Sequence, residues 1–98
     1  MLEVSKEDET SFPHKETTEA IIGAAFEVYN QLGYGFLERV YDADLIVDNC
    51  VAVEIKVSPQ YDKRDEAQLL NELKATGLKV GVLVNFGRAK VEFRRLVF

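Results

Sequence analysis

The sequence predicts an α/β sandwich with a mixed sheet, on three observations. Two β-forming arms flank a polar turn at Asp48-Asn49, a helical stretch separates them from a third β-forming run, and an amphipathic helix precedes them all. A helix linking two strands is a crossover, which allows them to lie parallel, whereas the hairpin must be antiparallel.

The elements follow in order. Met1 to Lys15 is charged and irregular, with Pro13 near its end, and reads as a flexible leader over residues 1–15 before a single domain over 16–98. From about Thr17, Ile21, Ala25, Val28 and Leu32 recur at helical spacing, with Ile22 and Tyr29 widening the stripe. Thr17 or Thr18 is placed to cap this helix, and Gly33 to stop it. A short second helical segment follows from Phe36 to Tyr41.

The stretch Asp42 to Val57 decides the chemistry. A two-residue loop would set Asp44 opposite Val53 and lose the hydrophobic face. With Asp48, Asn49 and Cys50 all in the loop, Val47 faces Val51, Leu45 faces Val53 and Ala43 faces Ile55, which makes one face wholly apolar. Because a one-residue slip moves every side chain to the other face, burial selects this register. Asp44 then stands across from Glu54, and Lys56 across from Asp42.

Opposed side chains of an antiparallel pair have Cβ atoms about 4.5–5.5 Å apart, so two carboxylates there repel unless a cation or a proton lies between them. Mg²⁺ suits such a site, since it takes oxygen ligands and retains water. Spacing alone leaves another account open, in which Asp44, Glu54 and Lys56 are the solvated face of a half-exposed hairpin.

Ser58, Pro59 and Gln60 end the hairpin, and Asp62 or Asp65 can start a helix running to Thr76, with Ala67, Leu70, Leu73 and Lys74 as its inner side and Gly77 as its stop. Lys79 to Phe86 is a strand suited to burial on both faces, Asn85 to Arg88 turns the chain, and Val91 to Val97 suggests a last strand.

Composition bounds the function. The 98 residues are 47% hydrophobic and 30% charged, an ordinary globular make-up with no apolar run long enough for a membrane span and a cytoplasmic location as the default. The lone Cys50 excludes an internal disulfide, and the lone His14 leaves a His-based metal site or a Ser/His/Asp triad without its parts. A net charge of −5 argues against bulk electrostatic capture of nucleic acid. Local contact through Arg88, Lys90, Arg94, Arg95, Lys63 and Arg64 stays open, although solvated surface charge explains each equally well.

Gly35-Phe36-Leu37-Glu38-Arg39-Val40-Tyr41 spells G-x-x-E-x-x-Y. With Ile21 to Ala25 before it, and Glu66 to Asn71, Lys74 to Gly81 and Val84 to Gly87 after it, the chain resembles the prokaryotic GxxExxY protein family from about Thr18 to Val97. That family is similar to PD-(D/E)XK nucleases, so the resemblance implies a restriction-endonuclease-like α/β sandwich. It also implies a Mg²⁺- or Mn²⁺-dependent hydrolase of phosphodiesters, acting on DNA ahead of RNA. Asp44 would match the first acid and Glu54-Ile55-Lys56 the E-x-K half. Asp44, Glu54 and the Ile55 carbonyl would hold the metal, and Lys56 would orient water or balance developing charge. Glu38 would add an acid and Gln68 a polar group facing the site. Each has a plainer alternative: Glu38 as a surface cap, Gln68 as a solvated helix position, Tyr29 and Tyr41 as packing residues.

One departure stands out. Relatives place a further strand between G-x-x-E-x-x-Y and the metal-site aspartate, whereas here only Asp42 and Ala43 separate Tyr41 from Asp44. The first core strand is thus missing, which leaves an open sheet edge that a homodimer would cover. The competing expectation is a non-catalytic binding or assembly module.

Overall fold

The computed structural model describes residues 2–3, 13–39 and 42–98. In chain order these form β1 (Leu2–Glu3), α1 (Lys15–Leu37), β2 (Ala43–Val47), β3 (Val51–Val57), α2 (Arg64–Thr76), β4 (Val80–Phe86) and β5 (Val91–Val97). The strands make one mixed sheet in the order β1-β5-β4-β3-β2, with β3 and β4 parallel and every other neighbouring pair antiparallel. The architecture is the expected α/β sandwich, and β2 is the sheet's open edge.

Alternation along β3 separates the two layers. Val51 and Val53 join Ile22, Val80, Val82, Val84 and Phe86 in a core under α1, while Ala52 joins Leu69, Leu73, Leu83 and Leu96 in a core under α2. All seven β4 residues are buried, as the central strand of a sheet covered on both faces requires.

The hairpin has the expected register: Val47 pairs with Val51, Leu45 with Val53, Asp44 with Glu54 and Ala43 with Ile55. Its loop unites both sequence alternatives. Asp48 and Asn49 have φ of 52° and 57°, and the Cys50 N–H donates to the Val47 carbonyl at 3.0 Å. That is a two-residue turn of the kind favoured in hairpins, with Cys50 as the additional residue that moves the ladder by one.

The helices correct several expectations. His14, not Thr17 or Thr18, stands at the start of α1 and provides no side-chain cap; Thr18 is buried in the first turn and donates its hydroxyl to the Lys15 carbonyl at 3.0 Å. Gly33, with φ 73° and ψ 164°, breaks the helical path, and a short turn resumes through Leu37. Val40 and Tyr41, where the second segment was expected to end, lie outside the described residues. So do residues 4–12 of the expected leader, whereas Leu2 and Glu3 pair with Val97 and Leu96 at the far edge.

The buried stripe of α1 is Ile22 flanked by Ile21, Ala25 and Tyr29; Val28 and Leu32 are exposed. Tyr29 explains the rotation. It lies parallel to the Phe86 ring at 6.0 Å and donates its hydroxyl to the Gly87 carbonyl at 2.6 Å, which anchors α1 over β4 and away from β2. Beside β2 this leaves an apolar groove of about 280 Å³ whose walls include Val28, Leu45 and Ile55.

On α2, Leu69 and Leu73 are the buried residues, and the expected inner positions Ala67 and Lys74 are exposed. Gly81 sets this phase, because a Cβ there would lie 3.0 Å from a Leu69 methyl, so α2 seats its Leu69 directly on the β4 backbone. Gly77, with φ 76°, ends α2 and donates its N–H to the Leu73 carbonyl at 2.9 Å.

Candidate metal centre

Asp44 and Glu54 project from adjacent strands onto the α2 side of the sheet, since Glu54 alternates with the α1-facing Val53 and shares its face with Ala52. From α2, Glu72 meets them. Each of the three offers a carboxylate oxygen, and these oxygens all lie within 4.8 Å of one another. An open cleft of about 430 Å³ leads to the group, lined by Asp44, Leu45, Ile46, Ala52, Glu72 and Thr76.

The three acids differ in solvation. Asp44 is exposed, Glu72 half-buried and Glu54 0% exposed. Among the described residues neither Glu54 carboxylate oxygen finds a hydrogen-bond donor, which is costly for a buried anion. Burial first, then Glu72, Asp44 and Asp65, push its pKa up to about 7 against the opposing pull of Lys56. Burial and Asp44 likewise raise Glu72.

Lys56 is the adjoining cation, with Nζ 3.5 Å from Asp42 and 3.9 Å from Glu54. Burial draws its pKa down, but Glu54, Asp42 and Asp65 outweigh that, and the net shift is upward. Asp42 also accepts a hydrogen bond from the Val57 N–H at 3.1 Å, so one carboxylate both ties the two arms together and holds the ammonium.

The structure thus brings Asp44, Glu54 and Lys56 onto one patch. The Ile55 side chain packs into the α1-side core, so only its backbone is available to the site. Glu38 is exposed at the end of α1, the helix that covers the other face, and Gln68 is exposed one turn before Glu72; neither joins the acid group. Sequence reasoning passed over Glu72. The available signal was the Leu69/Leu73 spacing, which places residue 72 beside the buried stripe.

Several of the outlying basic residues are engaged within the fold. Arg64 pairs with Asp62 at 2.8 Å, Arg94 with Glu66 at 3.7 Å, and the Arg88 guanidinium lies 6.0 Å from the centre of the Tyr34 ring.

A single mixed sheet with a helix on each face, carrying opposed acids and a lysine two residues beyond the second one, is the arrangement of a nuclease-like α/β protein, the class its family match gives. A family model for the PD-(D/E)XK nuclease superfamily matches residues 15–43 and 41–96, and the chain belongs to that superfamily. The two matched segments meet at residues 41–43, the junction where the sequence expects a strand to be missing. No curated protein and no solved structure gives a significant match. Among the described residues, no helix is long and apolar enough to cross a membrane.

The residues fit the divalent ion that such nucleases use. A buried carboxylate with both oxygens lacking a hydrogen-bond partner, beside two further carboxylates, is a hard-oxygen donor set that a cation would satisfy.

Proposed function

We propose that this protein is a Mg²⁺- or Mn²⁺-dependent nuclease that hydrolyses phosphodiester bonds, in DNA ahead of RNA. The observation that carries this reading is the buried, hydrogen-bond-free Glu54 carboxylate aimed at Asp44 within a superfamily of nucleases. Asp44 and Glu54, with the Ile55 carbonyl, would hold the ion, which when bound supplies a Lewis acid for water and for phosphate oxygens.

The chain's own groups do the remaining work. Lys56, held between Asp42 and Glu54, keeps its proton and presents a fixed positive charge toward an incoming phosphate or the attacking water. Asp42 positions that ammonium. Asp44, on the solvent side, is the first carboxylate a metal or substrate meets, while Glu54 sits beneath it. Gln68 and Glu38 are exposed and stand apart from the acid group, so this reading assigns neither of them a ligand role.

The direct test is cleavage of single- and double-stranded DNA and RNA with Mg²⁺ or Mn²⁺ by the native chain, Glu54→Ala and Lys56→Ala. Loss of cleavage in both variants supports the assignment; equal activity in all three disposes of it.

A second reading has its own support. β2 is an open edge whose Leu45 and Ile46 are 49% and 57% exposed, as in a degenerate relative used as an assembly module. A second copy covering this edge is compatible with either reading. Metal titration separates them, because specific binding to the folded form raises the unfolding midpoint.

A further inference from the structure

The position of Glu72 calls for an explanation. It stands beside fully buried Leu73 on α2, and its carboxylate is grouped with those of Asp44 and Glu54 although the exposed face of α2 lies only a short rotation away. Three carboxylates with one adjoining ammonium leave a local excess of negative charge. The excess centres on Glu54, whose two oxygens are buried without a hydrogen bond. A cation between sheet and helix resolves both features together.

We propose that Glu72 is a third carboxylate ligand of the metal site, so that a bound divalent cation ties α2 to the edge hairpin. This inference rests on the reading of Asp44 and Glu54 as metal ligands. The three ligands come from three elements, β2, β3 and α2, so the cation acts as a tertiary cross-link as well as a reagent. β2 gains most, since it has a strand partner on one side only. Three carboxylates are also compatible with the six-coordinate oxygen sphere of Mg²⁺ while leaving positions for water.

The test uses the full chain and Mn²⁺, with free ion followed by electron paramagnetic resonance, at about pH 8, above the range in which a raised carboxylate titrates. The variants are Glu72→Gln and, as a control of equal charge change on the same helix, Asp65→Asn. Loss of outer-sphere partners alone weakens metal sites by roughly 10–100-fold, so Glu72→Gln is expected to weaken Mn²⁺ binding at least about tenfold. Asp65→Asn removes a charge that acts on Glu54 and Lys56 from outside the acid group, so it should weaken binding clearly less than Glu72→Gln.

Amide exchange with Mg²⁺ gives a second readout. In the native chain the ion should slow exchange in both β2 and α2; in Glu72→Gln any protection should be confined to the hairpin. Equal affinity in Glu72→Gln and the native chain overturns the role of Glu72 while leaving the Asp44/Glu54 reading intact. Equal weakening by Asp65→Asn overturns it too, by showing a field effect. If the native chain binds no Mn²⁺, both readings fall.

Discussion

Asp44 and Glu54 are direct partners across the β2–β3 ladder, yet Asp44 is exposed and Glu54 is 0% exposed. The asymmetry arises because β3 is covered by α2 whereas β2 lies at the edge. Two opposed acids are therefore given different environments, one accessible and the other desolvated.

Metal-free stability should fall as pH rises from about 4.5 to about 7. The Glu54 pKa is about 7 in the folded protein against 4.5 for the unconstrained group, so folding favours its protonated form. That contribution is complete below the unfolded value and is lost through the folded one. A tenfold change in proton affinity corresponds to about 1.4 kcal/mol, so the rise from 4.5 to about 7 is worth on the order of 3 kcal/mol. Glu72 is raised as well and acts in the same direction. Denaturant unfolding across this pH range with a chelator present should show the decline, and Glu54→Gln should flatten it.

Lys56→Met should leave the fold intact and reduce cleavage by roughly 10²-fold or more, the usual scale for removing one charge-stabilising group. It should also move the pH-dependent loss of stability upward, because Lys56 is the group that lowers the Glu54 pKa. A pH profile that does not move would mean that the ammonium and the buried acid are not coupled in solution.

The phase of α2 can be checked by stability alone. Leu69→Ala and Leu73→Ala remove fully buried side chains and should each cost about 2–5 kcal/mol. Leu70→Ala, at a half-buried position, should cost less than either. Chemical denaturation midpoints for the three variants decide the order, and an equal cost at residue 70 would place the helix in the phase that Ala67 and Lys74 suggested.

Self-association through β2 should be concentration-dependent and abolished by Ile46→Lys, since a charge on an exposed edge opposes strand pairing. Light scattering after size exclusion measures it. A monomer at every concentration would show that the open edge of β2 is not closed by a second copy.

Much of the site was legible because strand periodicity is strict. In the stretch Asp42 to Val57, alternation admits one register that buries a complete apolar row, and the same constraint places Asp44 opposite Glu54 and Lys56 beside Asp42. The tight turn reinforced this, since Asp48 and Asn49 both tolerate positive φ. The α/β class followed equally from local pattern, the crossover helix allowing β3 and β4 to run parallel, as they do.

Helix rotation was decided by tertiary packing. Several apolar residues on α1 and α2 define overlapping stripes, and a period near 3.6 lets neighbouring faces compete where strands allow two. The side-chain-free surface of Gly81 accepts Leu69, and Tyr29 hydrogen-bonds to the turn after β4; both contacts join a helix to the sheet beneath it, which helical periodicity alone does not fix. Through the first of them Glu72, not Gln68, is turned toward the acids. The sequence by itself determined which carboxylates share the hairpin, because their spacing is local. Only the tertiary structure decided which helix side chain joins the group, because that depends on where the glycine of the strand beneath lets the helix settle.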